Sequence, residues 1–287
     1  MSVPEFYYEE DGGSWKVTET MKQAYETHGC ILVRNMLRPE EVNKVKAALE
    51  APDGVLQHTY RRSDGKERDN GFVLWNHPGR DVTGVLARTQ RIAGTAEQLM
   101  GGDEIYHYHT KLIMKSARTG GTFVWHQDYG YWYKNGCLAP DMSSVFIPMD
   151  DTDPENGCLQ VLPGSHKYGR MDHVEIGEQL GADPERVEQV KKRLDSVYVE
   201  MKAGDVLFFH CNLLHTSDAN TSPRRRWVFI VAFNKRSNDS YKDHHHPRYT
   251  PMTKEEDSAL MKCTETDLDG KWFMKNEEDF SVPRNLH

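Results

Sequence analysis

Apolar positions along the chain follow two regimes. Up to about residue 102 they recur at helical spacing, and from Glu104 to Phe233 the period drops towards two, with β-branched and aromatic runs between turn signals. In the first regime the pattern predicts a helix over 18–28 stopped by Gly29, and then a short buried strand over 30–33. A second helix opens at Pro39 with Val42, Val45, Ala48 and Leu49 on one face, and a third over 85–100 ends at Gly101-Gly102. In the second regime it predicts strands at 105–114, 123–125, 144–149, 158–162, 197–201, 206–209 and 227–233. Asn156-Gly157 reads as a hairpin, and Pro163-Gly164 and Ala203-Gly204-Asp205 as bends. One helix interrupts these strands, capped by Asp183 and Pro184, with Val187, Val190 and Leu194 at helical spacing. From Ser237 the chain is polar and irregular apart from a short helix after Thr253 and Glu256.

Short strands joined by tight turns predict an antiparallel barrel or sandwich, a mainly β fold flanked by several α-helices, rather than βαβ units. No repeat, low-complexity tract or flexible linker divides the 287 residues. One domain over 1–287 is expected: helical support over 14–102, a sheet core over 103–236 and a polar extension over 237–287.

Charge and cysteine usage narrow the function classes. A formal charge of −8 repels phosphate backbones and anionic lipid heads, so no nucleic-acid or membrane partner is expected. No apolar run approaches the roughly 20 residues of a membrane helix, and the first residues lack a secretory pattern. Five scattered cysteines without a Cys-x-x-Cys pair fit reduced thiols, and a cytoplasmic location is expected.

The candidate chemistry lies in Trp125-His126-Gln127-Asp128, an imidazole and a carboxylate two residues apart at the end of a predicted strand. His215, just after another strand, supplies a second imidazole. Two histidines and one carboxylate are the ligand set of non-haem Fe(II) oxygenases, which leaves three coordination positions open. A His-x-Asp by itself is more often a hydrogen-bonded pair, so the neighbouring residues carry the weight. His107 and His109, on one face of a predicted strand, lack an accompanying carboxylate, and His244-His245-His246 reads as a polar tail segment.

Those neighbouring residues resemble the phytanoyl-CoA dioxygenase superfamily and, around Asp128, its ectoine hydroxylase branch. The aromatic stretch Tyr129-Gly130-Tyr131-Trp132 follows the His-x-Asp, and Glu155-Asn156-Gly157 through Pro163-Gly164-Ser165-His166 matches the family's turn, strand and bend. His215, Ser217, Asn220 and Arg226 stand at the family's spacing for the last metal ligand, the loop after it and the cosubstrate arginine. The resemblance spans roughly Gly29 to Phe233 and implies a double-stranded β-helix (jelly-roll) core. It implies Fe(II) on His126, Asp128 and His215, with 2-oxoglutarate as cosubstrate held by Arg226 and Ser217, and O2 as oxidant.

A guanidinium also suits the distal carboxylate on physical grounds, because it stays charged and binds bidentately. Arg224, Arg225 and Arg226 all qualify by charge; the family spacing selects Arg226, with Arg224 the rival on the same strand face. Lys111 aligns with positions lining the cosubstrate or substrate pocket and is taken as a cosubstrate contact, a surface ion pair being its ordinary alternative. Because related halogenases carry a small residue where Asp128 stands, the expected outcome is C–H hydroxylation with release of succinate and CO2.

Aromatic residues around the metal bear on the substrate. Phe123, Trp125, Tyr129, Tyr131, Trp132 and Tyr133 fall within one short stretch, and strand alternation aims Phe123 and Trp125 the same way. Such a wall suits an ammonium group, each cation–π contact contributing about 0.5–2 kcal/mol. Trp132, Tyr129, His109 and Phe123 are the substrate candidates, and a small polar metabolite bearing an amino or ammonium group is the expected ligand. An acyl-CoA or lipid-derived substrate is the alternative, and a cupin-like hydrolase or non-catalytic jelly-roll module the second. Residues 61–68 read as a mobile polar loop at the mouth.

Overall fold

The computed structural model describes residues 2–8 and 15–275. The first position of the expected helical support and the end of the polar extension, 276–287, lie outside the described residues.

Strand β1 (Glu5–Tyr7) precedes helix α1 (Glu19–His28), whose Thr18 cap accepts from the Met21 amide at 3.2 Å. Gly29 closes α1 at φ +75°, and a Cβ there would lie 2.4 Å from the His166 ring, so this exit needs glycine twice over. Strand β2 (Cys30–Arg34) and helix α2 (Pro39–Leu49) follow where the pattern places them.

Two expectations fail in the next segment. Residues 61–68 are not a mobile loop: β3 (Tyr60–Ser63) and β4 (Asp69–Asn76) form a hairpin with 64–68 as its turn. The buried run Phe72, Val73, Leu74 and Trp75 draws this hairpin into the main sheet. Nor is there one helix over 85–100, because α3 (Val82–Arg88) and α4 (Thr95–Leu99) flank a π-turn over 90–94. The break at Thr89 is made by the tail. Glu255 donates its amide to the Arg88 carbonyl at 2.8 Å and accepts from the Gln90 amide at 2.9 Å, replacing helical bonds.

The remaining strands are β5 (Ile105–Lys115), β6 (Phe123–His126), β7 (Met142–Pro148), β8 (Leu159–Val161), β9 (His173–Ile176), β10 (Gln179–Ala182), β11 (Val197–Val199), β12 (Val206–His210), β13 (His215–Ser217) and β14 (Arg226–Lys235). Helix α5 (Asp128–Trp132) follows β6, and α6 (Pro184–Lys191) begins on its expected Asp183 cap. The β9–β10 hairpin has too short and too polar a pattern to announce itself. The tail is more ordered than its composition suggests, with α7 (Ala259–Lys262) after Ser258 and β15 (Trp272–Phe273) paired to β4.

The large sheet has the order β1-β2-β12-β7-β14-β5-β4-β15 with β3 on β4, and β11-β8-β13-β6 forms the opposing sheet. Asn156-Gly157 is therefore a crossover, since β7 and β8 lie in different sheets; Asp153 caps a 3₁₀ turn there and Gly157 takes φ +77°. Leu32, Phe146, Leu207 and Phe209 from the large sheet pack with Leu159, Val161 and Val199 from the small one. On the outer face, Ile31, Val33, Phe208 and Phe229 meet Val45, Leu86, Ile92 and Ala96 of the helical layer. This is the expected jelly-roll core with helices over one sheet. No helix among the described residues is long and apolar enough to cross a membrane, and all five cysteines are free thiols.

Candidate metal and cosubstrate site

Hydrophobic packing between the sheets gives way to polar side chains where β5, β6 and β13 converge. His126 ends β6, Asp128 opens α5 and His215 opens β13, directly opposite His126 in the register. One ligand atom from each lies within 4.8 Å of the others, the single such group among the described residues.

Backbone carbonyls orient both imidazoles. His126 Nδ1 donates to the Val124 carbonyl at 2.8 Å and His215 Nδ1 to the Leu213 carbonyl at 2.9 Å, which directs each Nε2 to the ligand position. Burial lowers both rings below their ordinary value, His126 well below it with His215 as the next influence. Ser144 donates to Asp128 Oδ2 at 2.5 Å, leaving the other carboxylate oxygen for the shared centre. Neutral imidazoles with free Nε2 atoms and one anchored carboxylate fit a divalent first-row metal.

A second polar group fills the end of the barrel beside β13. Arg226 is 2% exposed, and its Nε and Nη2 donate to the Gly157 carbonyl at 3.2 and 2.6 Å. Gly157 is required because a Cβ would lie 2.3 Å from the Asp218 carbonyl oxygen. Burial pushes the guanidinium down to about 10, so it stays charged at neutral pH. Arg224 is excluded as its rival: it lies before β14 and pairs at the surface with Asp153 and Glu155.

Lys115, which the sequence reading passed over, is fully buried here. It donates to the Ser217 hydroxyl at 2.8 Å and also to the Asp218 carbonyl, and burial followed by Arg226 pulls its ammonium well below the ordinary value. A carboxylate beside two buried cations relieves both. The clue in the sequence was parity, since Lys115 lies four positions after Lys111 on the same strand face. Phe123 links the two groups, with its ring 6.5 Å from His126 and 5.2 Å from Lys115 Nζ.

Several side chains sit differently from the alternation argument. A register shift between His215 and Ser217 turns β6, so Trp125 packs with Leu162 and Met171 instead of beside Phe123. A second shift, between Ala232 and Phe233 opposite β5, puts His107 and His109 on different faces. His107 bonds Thr110 at 2.7 Å and lines a separate cleft with His77 and Arg88, whereas His109 packs edge-on against Trp132. On α5, Tyr131 reaches His126 at 5.9 Å; Tyr129 instead bonds the Cys137 carbonyl and stacks edge-on with Tyr133. His246 is no loose tail residue, for it lies 4.7 Å from the His109 ring and bonds Asn76. Lys111 feels the charge of Asp128, whereas it is Lys115 that stands beside Arg226 and bonds Ser217.

Residues 25–228 match the family model described as phytanoyl-CoA dioxygenase. The chain is 29% identical over 265 residues to L-proline trans-4-hydroxylase of Streptomyces griseoviridis, covering 86% of this chain and 96% of that protein. It is 28% identical over 245 residues to ectoine dioxygenase of Stutzerimonas stutzeri, covering 79% and 80% of the two. Among solved structures it resembles EctD from S. alaskensis in its apo form, with a TM-score of 0.71, 24% identity and coverage of 88% and 91%.

Proposed function

The chain belongs to the phytanoyl-CoA dioxygenase family and is an Fe(II)- and 2-oxoglutarate-dependent dioxygenase, and from that footing we propose a role for each residue of its site. His126, Asp128 and His215 hold the iron. Arg226, Lys115 and the Ser217 hydroxyl receive the distal carboxylate of 2-oxoglutarate. The observation that carries this reading is the joint placement of a converging triad and a buried, charged arginine in one barrel. A hydrolase or a passive jelly-roll module has no use for both.

When bound, iron and 2-oxoglutarate supply the oxidising power that replaces a substrate C–H by C–OH. The chain's own contributions are orientation and exclusion of water. Carbonyl-anchored imidazoles and the Ser144-anchored carboxylate fix which face stays open. Phe123, Tyr131 and the edge of Phe209, 5.0 Å from His215, shield it. Trp132 and His109, packed edge-on between α5 and β5, form the inner wall on the substrate side.

The substrate is a small polar metabolite bearing an amino group, as the proline of one relative's name does, the ectoine of the other being a cyclic amidine of similar size and polarity. Trp132, His109 and Phe123 are its contacts, and the catalytic unit is a single domain. The five free thiols support a reducing, cytoplasmic setting. The test is turnover of the iron-loaded protein with 2-oxoglutarate and O2 against free amino acids and ectoine, following succinate and product mass. One oxygen atom added from O2 per succinate, with an amino-bearing compound, supports the reading; turnover confined to acyl-CoA thioesters contradicts it.

A further inference from the structure

The hairpin β3–β4, read from sequence as a solvated loop, brings a cation into the pocket. Tyr60 pairs with Phe72 and Phe72 with Ile113, while Leu74 pairs with Lys111, so Arg62, two residues from Tyr60, shares the sheet face of Lys111. The Arg62 guanidinium lies 4.7 Å from the Phe72 ring and 5.5 Å from Tyr60. Phe72 in turn meets Phe123 edge-on at 5.7 Å, and Phe123 abuts His126. Arg62 is thus seated on an aromatic floor that runs to a proposed iron ligand.

Two half-buried cations, Arg62 and Lys111, therefore share the sheet face whose Phe72 meets Phe123. They repel one another, and Asp128 is the carboxylate that faces Lys111. As an iron ligand, Asp128 has its charge engaged by the metal. Among the described residues Lys111 makes no ion pair, and His109, 1% exposed beside it, has no hydrogen-bond partner on either ring nitrogen. A buried imidazole without a protein partner, beside two like charges, is polar surface that a bound anion with a donor group would satisfy. The distal carboxylate of 2-oxoglutarate does not account for it, because Arg226, Lys115 and Ser217 already serve that end.

We propose that the substrate carries a carboxylate gripped jointly by Arg62 and Lys111, with His109 accepting from its amino group. This makes the substrate a free amino acid or a cyclic relative, and the inference rests on the amino-bearing reading given above. Arg62 supplies the planar, bidentate contact and Lys111 the point charge. The residue that selects the acid thereby comes from a hairpin added to the large sheet.

The test compares the proteinogenic amino acids and ectoine with their carboxamides, with carboxylate-free amines such as pyrrolidine and with amine-free acids such as cyclopentanecarboxylate. Succinate release is measured, together with binding by anaerobic calorimetry to the iron- and 2-oxoglutarate-loaded protein. Acids are expected to bind and stimulate release, and their amides to do neither. Arg62→Gln and Lys111→Gln should each weaken the active acid about tenfold or more, leaving the KM for 2-oxoglutarate in uncoupled turnover within about twofold. Activity equal with amides or amines, no binding by any acid in the panel, or an Arg62→Gln effect falling on 2-oxoglutarate would overturn the proposal. An organic acid without an amine as the sole active compound would sink the amino-bearing reading and leave the carboxylate grip standing; an amine without a carboxylate would do the reverse.

Discussion

Ser144 donates its hydroxyl to Asp128 Oδ2 at 2.5 Å, reaching from β7 of the large sheet to the first residue of α5. The bond occupies one carboxylate oxygen of Asp128, and the carboxylate stands within reach of both imidazoles. Outer contacts of this type hold metal ligands in place, and losing one costs about 10–100-fold in metal affinity. Ser144→Ala should therefore weaken Fe(II) binding by that amount while leaving the melting temperature of the metal-free protein nearly unchanged. Calorimetric titration of Fe(II) under argon measures it, and an unchanged affinity would remove Ser144 from the account.

Lys115 and Arg226 divide the cosubstrate end by chemistry. Arg226→Lys should not restore function, because an ammonium cannot span a carboxylate and the Gly157 carbonyl as a planar guanidinium does. Lys115→Met, of similar length, should raise the KM for 2-oxoglutarate about tenfold with a smaller effect on substrate KM. Steady-state kinetics with each varied in turn distinguishes the two, and an effect of Lys115→Met on substrate alone would contradict the placement.

Acid sensitivity follows from His173. It accepts from the Gln127 amide at 3.1 Å, is 8% exposed, and is pushed by burial from 6.5 down to about 4. The unfolded chain takes up this proton first on acidification, so the stability contribution is complete above about pH 6.5 and is lost progressively towards pH 4, up to about 3 kcal/mol. His210, also pushed to about 4, acts in the same direction. Urea unfolding across that range should show a shallower pH slope for His173→Gln than for the parent; parallel slopes would refute it.

Helical support depends on the buried pair Glu41–Arg91, bonded at 2.6 and 3.0 Å. Glu41→Gln leaves the Arg91 charge buried with only Asp257, at 3.9 Å, as a partial counterion. The expected loss is about 3 kcal/mol in urea unfolding, with the Fe(II) spectrum of the folded fraction unchanged. A loss below about 1 kcal/mol would show that solvent reaches the pair.

The convergence of His126, Asp128 and His215, the burial of Arg226 and Ser217 and the jelly-roll class were legible through the resemblance to a family whose motif spacings the fold preserves, the alternating pattern alone giving only an antiparallel barrel or sandwich. What escaped was set by register. The shifts at His215/Ser217 and Ala232/Phe233 each displace a side chain to the opposite face, which is why Trp125 left Phe123 and His107 left His109. Arg62 was hidden because its charge-rich neighbours look solvated until Phe72–Trp75 is paired into the sheet. The break at Thr89 came from Glu255, some 166 positions away in sequence, a partner that no local pattern contains.

The central claim is that one barrel holds an iron site and a separate cosubstrate carboxylate site. The anaerobic visible spectrum tests it most directly, recorded with Fe(II) alone and then with 2-oxoglutarate for the parent, Asp128→Ala and Arg226→Ala. A charge-transfer band that requires both additions, disappears in Asp128→Ala and needs far more 2-oxoglutarate in Arg226→Ala is the predicted result. Folded, iron-binding protein that gives no band with 2-oxoglutarate, or a band indifferent to Arg226, would contradict it.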